Sequence, residues 1–298
     1  MARRLLVMLA MAGASTCAIA QETEGQINPN SIIPIPKYEQ LYKVRVWREI
    51  DLREKQNKGF FAKGNEITKL ILTAIKSGEL ADVYQKDSLT TRIPKDEFNA
   101  SMVSVQGTTY PAWSPTQDFY FGDRATINGK NYEALTDNRG KNPETSPDDW
   151  QATTAGKAIE FLPSEIYKLT MMEDLIFDRR RSRLYYDIQA IQLQVFDLNT
   201  GIFKPLGWLK YKDLEKLFRN HPDEAIWFNR YNSAENKNYA DAFLLRLFHG
   251  TIAKVENPDN ETILDTYSFN NRPYKESVWA REWEEMKLME REHNLWEY

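Results

Sequence analysis

Between Gly107 and about Ala152 the chain changes character, and that change limits what the whole can fold into. Aliphatic residues thin out there, while Gly, Pro, Asn, Asp, Thr and aromatic residues crowd in. The stretches on either side have the periodic apolar patterns of ordinary helices and strands. A segment that cannot share their core is most simply an insertion, so residues 38–106 and 153–298 must pack together across it. The expected class is α+β, an antiparallel sheet meander with flanking helices, interrupted by a small all-β inserted module. Inside the insertion, Asn128-Gly129 separates Ala125-Thr126-Ile127 from Tyr132-Glu133-Ala134, a tight-hairpin signature.

The amino terminus addresses compartment. Arg3 and Arg4 precede an apolar stretch, Leu5–Ala14, and Ala18-Ile19-Ala20 offers a cleavage site before Gln21. Residues 1–20 therefore read as a secretory signal peptide, too short in its apolar part for a comfortable membrane span. Cys17 is the only cysteine. The residues before it, Ala14-Ser15-Thr16, lack the Leu and the Gly or Ala that usually precede a lipid-bearing cysteine, which leaves lipidation the less favoured outcome. Cleavage after Ala20 removes the thiol, so the exported chain is held by its core without disulfides. It also removes two arginines, moving the net charge from −4 to −6. Such a balance argues against a nucleic-acid partner, and no later stretch is long and apolar enough to cross a bilayer. Residues 21–37, rich in Gln, Asn and Pro, read as an extended arm, either loose or laid along a partner subunit.

Further along, Glu66–Ser77 has Ile67, Leu70, Ile71, Ala74 and Ile75 on one helical face, with Gly78 as the stop. A shorter helix is expected from Pro94 to Met102, and another from Leu162 to Leu169 capped by Ser164. Segment 170–209 reads as a three-stranded antiparallel meander. Its middle strand slips phase near Ala190–Ile191, which predicts a bulge. The four arginines within Arg179–Arg183 follow Glu173, Asp174 and Asp178 closely, so local pairing in a turn is favoured over an anion site. Helices are expected over Asp213–Phe218, Lys237–Phe248 and Glu276–Tyr298. In the last, Trp279, Trp283, Met286, Met289 and Trp296 form an apolar stripe among charges. Left bare, that stripe would be adhesive, so it must dock on its own domain or on another subunit.

Val46–Asn57 reads Val-Trp-Arg-Glu-Ile-Asp-Leu-Arg-Glu-Lys-Gln-Asn. By composition it is a solvated, charge-paired segment with Trp47, Ile50 and Leu52 reaching into a core. As a motif it resembles the signature of the GldN/PorN family of gliding-motility and type IX secretion proteins in Bacteroidetes. Two later stretches resemble the same family in the same order. They are Glu173-Asp174 through Phe177-Asp178 to Arg181-Ser182, and Tyr239-x-Asp241-x-Phe243-x-x-Arg246-x-Phe248 with Ile252, Lys254 and Asn257. The resemblance implies a periplasmic, non-catalytic structural subunit. It would sit at the outer membrane through a lipoprotein partner of the GldK/PorK type and self-associate in a ring. Trp279, Trp283, Met286 and Trp296 are then the candidate partner-docking residues.

The insertion resembles the small chitin-binding module of carbohydrate-binding families 5 and 12. The order Ala112-Trp113, Gly122-Asp123, Asn128-Gly129-Lys130-x-Tyr132-x-Ala134 and Trp150 is preserved. The positions that carry sugar-stacking aromatics in that module are Leu135, Thr136 and Asp137 here. Trp113, Tyr120, Tyr132 and Trp150 are therefore expected to form the module's own core. Trp113, Tyr120 and Trp150 remain its candidate carbohydrate contacts. A periplasmic carbohydrate or peptidoglycan binder acting through 107–152 is the alternative function.

A hydrolase is the third reading, and the residues give it little. His221, His249 and His293 lie far apart with no metal-binding spacing, and there is no nucleophile elbow, phosphate loop or dinucleotide glycine run. No catalytic residue, cofactor or metal ligand is nominated.

Overall fold

The computed structural model describes residues 27–105, 110–153, 158–197, 201–268 and 273–296. The signal-peptide and Cys17 readings lie outside these residues. The chain forms two compact units. One is built from the segments up to Phe98, Leu162–Phe196 and Phe203 onward; the other from Asn99–Phe161 with Asp197–Ile202.

The larger unit is organised by five antiparallel strands: β1 (Gln40–Asp51), β2 (Lys168–Asp178), β3 (Arg183–Asp197), β4 (Ile202–Lys210) and β5 (Thr251–Val255). Their order across the sheet is β4-β3-β2-β1-β5. The expected meander is β2-β3-β4, and the family-like Val46–Asp51 run lies in β1, between β2 and β5. That corrects the solvated reading for Val46–Asp51, while Trp47, Ile50 and Leu52 are buried as expected and Arg53–Gln56 stay exposed. From Val46 to Arg48 this strand is buried on both faces, so it loses the alternation of a half-exposed strand. Val46 packs with Leu175, Phe177 and Leu184 on one face, while Trp47 packs with Met172, Ala190, Trp208 and Tyr84 on the other. Arg48, which follows Trp47 and shares the face of Val46, is only 7% exposed.

The bulge lies at Gln189, one residue before the expected position. Met172 pairs with Ala190 and Glu173 with Ile188, leaving Gln189 over. The buried Gln189 side chain donates to Asp187 and accepts from Asn28 Nδ2 at 2.7 Å. Asp187 Oδ1 also accepts from the backbone of Ile32 and Ile33. The described part of the arm thus lies along its own β3, with Ile35 buried. In the β2–β3 turn, Asp178 accepts from the amides of Arg180 and Arg181 and from the Arg181 side chain, and Arg180 pairs with Glu39. Local pairing accounts for two of the four arginines there.

The helices are α1 (Ile67–Ser77), α2 (Lys95–Ser101), α3 (Tyr211–Asn220), α4 (Tyr239–Leu244), α5 (Ile263–Ser268) and α6 (Tyr274–Leu295). In α1 the predicted apolar face is buried, and Gly78 closes it at φ +89°, donating its N–H to the carbonyls of Ala74 and Ile75. The expected helix at Leu162–Leu169 reduces to a 3-10 turn, Pro163–Glu165, because β2 begins at Lys168. Glu165, not Ser164, closes it by accepting from the Leu162 amide at 2.7 Å. The expected Lys237–Phe248 helix is likewise cut to α4, since Arg246 takes φ +53°. Tyr239 and Phe243 of α4 join Phe60, Tyr211 and Phe218 in a cluster of aromatic rings.

The smaller unit contains a three-stranded antiparallel sheet, Arg124–Ile127, Lys130–Ala134 and Trp150–Thr153. Asn128 and Gly129 have φ of +51° and +76°, as a tight hairpin with the right-handed strand twist requires. Its core is Phe119, Ala125, Tyr132, Ala134 and Trp150, with Trp113 and Ile127 against it. Val103–Val105 and Ala158–Glu160 form a further antiparallel ladder.

Candidate interaction surface

The three family-like stretches are distant in sequence and converge on one buried cluster of charges. Glu173 of β2 is wholly buried. It accepts from Arg48 Nε of β1 at 3.2 Å, and from Arg246 Nη1 and Nη2 at 2.6 and 3.3 Å. The turn of backbone that ends α4 swings the Arg246 guanidinium onto the Tyr186 ring, 4.1 Å from its centroid. Arg48 Nη1 donates to the Gly250 carbonyl at 2.7 Å and to Glu285 of α6. Burial opposes the charge on Arg48, but Glu173 and Glu285 outweigh it and hold its pKa above the ordinary arginine value.

On the opposite sheet face, Asp174 is paired with Arg45 at 2.6 Å and Lys43 at 2.9 Å. Burial works against its ionisation, yet these cations keep its pKa below the usual carboxylate range. Lys254 stands over the Trp47 indole, 3.7 Å from its centroid, and donates to Asn260 at 2.6 Å. Desolvation pulls its pKa down. Asn257 bonds the Val255 and Glu261 carbonyls and shapes the turn after β5.

The Arg48 side of the sheet is the seat of α6. Arg281 reaches Glu49 at 3.2 Å, Glu285 reaches Arg48, and Leu288 and Leu295 cover Val46 and Leu175. Ala280 packs with Ile252 and Ile263. With its polar and aliphatic inner side satisfied, the helix turns its largest apolar residues outward. Trp279, Trp283, Met286 and Met289 are 63, 54, 55 and 61% exposed. The first three lie at i, i+4 and i+7, on one face. Docking of this stripe on its own domain is therefore not what the fold does. Trp296 differs from the others: it follows the helix, is 58% exposed, and meets the Phe177 ring edge-on at 6.4 Å. The face is a chemically simple one, large, apolar and held on a rigid element, which suits binding and not catalysis.

The candidate carbohydrate contacts are dispersed by the smaller unit's packing. Trp150 is 2% exposed, meets Phe119 edge-on, and donates its Nε1–H to the Lys141 carbonyl at 3.0 Å. Trp113 is half-buried against the same core. Tyr120 is corrected from core to surface, at 63% exposed, and its neighbour Phe121 at 75% was not anticipated. Both sit on a tight turn whose amides are held by Asp123 and Asp137. His221 and His249 bond Glu79 and Glu54 separately, and no group of metal-ligating side chains assembles among the described residues. No described helix is long and apolar enough to cross a membrane.

The charge cluster was missed from the sequence because each arginine and carboxylate, taken alone, looks like a surface residue. The signal available was that all three family-like stretches contribute to it.

A family model described as gliding motility associated protein GldN matches residues 35–297. No curated protein matches the chain.

Proposed function

The chain belongs to the GldN family and so is a component of the gliding-motility and type IX secretion machinery, and from that premise we propose that it is a non-catalytic structural subunit of a ring-like assembly beneath the outer membrane. In this reading it is exported by its signal peptide and held at the membrane by a lipoprotein partner of the GldK/PorK type. It contacts further copies of itself within the ring. The observation that carries the proposal is the outward face of α6. Four large apolar side chains are displayed on a helix pinned from behind by Arg281–Glu49 and Arg48–Glu285. A soluble monomer rarely leaves so concentrated an apolar face uncovered. Ion pairs aimed inward commit the helix to that orientation.

The test is purification of the tagged protein from its native envelope, followed by sizing and identification of its companions. Recovery in a large membrane-associated particle with an outer-membrane lipoprotein is expected. Recovery as a free monomer would refute the assembly. A Trp279→Ala, Trp283→Ala variant should keep its fold and lose the particle, since neither ring supports the core.

A further inference from the structure

The larger unit carries a second feature that the sequence did not single out, a groove of about 690 Å³ between the segments 55–63 and 227–231. Its floor is the Trp227 indole, seated so closely on Gly59 that a Cβ there would lie 2.3 Å from Trp227 Nε1. That buried Nε1–H has no hydrogen-bond partner. Phe61 and Phe228 continue the apolar wall. Around it stand Lys55, Lys58, Lys63 and Arg230, all exposed, and none is ion-paired among the described residues. No carboxylate lines the groove. Four uncompensated cations about an aromatic floor, on a chain of net charge −4, call for an occupant with carboxylates beside large apolar side chains.

That chemistry is displayed on the same molecule. The outward face of α6 sets Glu282 and Glu290 among Trp279, Trp283 and Met286, and both carboxylates are exposed with no ion pair among the described residues. We propose that the groove of one copy receives the outward face of α6 from the next copy. Glu282 and Glu290 meet the groove's lysines and Arg230, while a tryptophan of the helix covers Trp227. The inference rests on the self-association in the proposed function and names the surfaces that make it. Because groove and helix are different surfaces, the contact is head-to-tail. Such contacts propagate, closing into a ring where the rotation per copy allows and running into a filament otherwise.

The experiment uses the full exported chain in three forms. One carries Lys58→Glu with Arg230→Glu, a second Glu282→Lys with Glu290→Lys, and a third all four substitutions. Every altered residue is exposed, so circular dichroism should report an unchanged fold. Sedimentation velocity at low salt should show the wild type self-associating. Either charge-reversed pair should weaken association at least tenfold, and the fourfold variant should recover most of it. If the wild type associates and the reversed pairs associate equally well, this contact is wrong while the assembly reading stands. If the wild type stays monomeric alone and is present as a single copy in envelope particles, self-association itself fails, and the contact with it. Loss of the lipoprotein from those particles, with self-association intact in the groove variant, would assign the groove to the partner and overturn the proposal.

Discussion

Replacing Glu173 by Gln tests whether the buried charge cluster holds α6 and α4 to the sheet. Gln preserves the size of the side chain and removes its charge. Two guanidiniums then lose their shared acceptor, but unequally. Arg48 has 9% of its side chain exposed and keeps Glu285 and the Gly250 carbonyl; Arg246, at 28%, can relax toward water over Tyr186. Removing one partner of a buried pair costs ~3–5 kcal/mol, and these residual partners place Glu173→Gln near ~3 kcal/mol. With a urea dependence of ~3 kcal/mol per molar for a unit this size, the midpoint should fall by about 1 M. The control is Glu284→Gln, whose bond to Lys287 at 2.7 Å lies between half-exposed side chains on α6. Its loss should stay below ~0.5 kcal/mol. Urea unfolding followed by tryptophan fluorescence measures both. If Glu173→Gln shifts the midpoint no further than Glu284→Gln does, the cluster is not what seats the helix, and the account of its outward face falls with it.

Trp150→Ala should unfold the smaller unit, at a cost of ~3–5 kcal/mol for emptying a buried indole site, whereas Tyr120→Ala should leave it within ~0.5 kcal/mol; amide exchange over residues 118–153 distinguishes the two. Gly59→Ala forces Trp227 off its seat and should cost ~1–3 kcal/mol, read as a lowered thermal midpoint. The buried carboxylates Asp174 and Asp187 should pull in opposite directions with pH. Burial opposes the charge on Asp174, but Arg45 and Lys43 outweigh it and lower its folded pKa. Its contribution is therefore present above the unfolded value of ~3.9 and lost as pH falls through the folded value, so Asp174→Asn should flatten the acid-unfolding curve. Burial raises the folded pKa of Asp187 despite bonds from Ser31, Ile32, Ile33 and Gln189. Its contribution is fullest below ~3.9 and falls as pH rises through the folded value, so Asp187→Asn should gain on the wild type between pH 4 and pH 7. Urea midpoints at the two pH values check this, and a widening deficit for the variant would contradict it.

Much of the local structure was legible because it depends on short-range periodicity. The apolar face of α1 and its Gly78 stop, the β2-β3-β4 meander and the Asn128-Gly129 hairpin are each decided by steric and burial demands acting within about ten residues. The α+β class follows from them. What a run of residues cannot report is how many neighbours an element acquires. Val46–Asp51 reads as a charge-paired surface segment; as the strand between β2 and β5 it is largely enclosed, and Arg48 and Glu49 are matched across the strands by Glu173 and Lys168 and from α6 by Glu285 and Arg281. The groove was equally hidden, since segments 55–63 and 227–231 meet only through the fold.

The orientation of α6 shows the division most plainly. Its sequence settles that residues 274–295 are helical and that Trp279, Trp283 and Met286 share a face. By the usual rule that apolar faces turn inward, that face should be buried. The helix instead carries apolar side chains on both sides, Ala280, Leu288 and Leu295 opposite the tryptophans, so amphipathicity alone leaves its rotation undecided. Arg281 and Glu285 break the tie. Glu49 and the buried Arg48, both on β1, meet these opposite charges only when that side of the helix faces the sheet. Only the tertiary structure, by placing Glu49 and Arg48 beneath the helix, decides which side faces out.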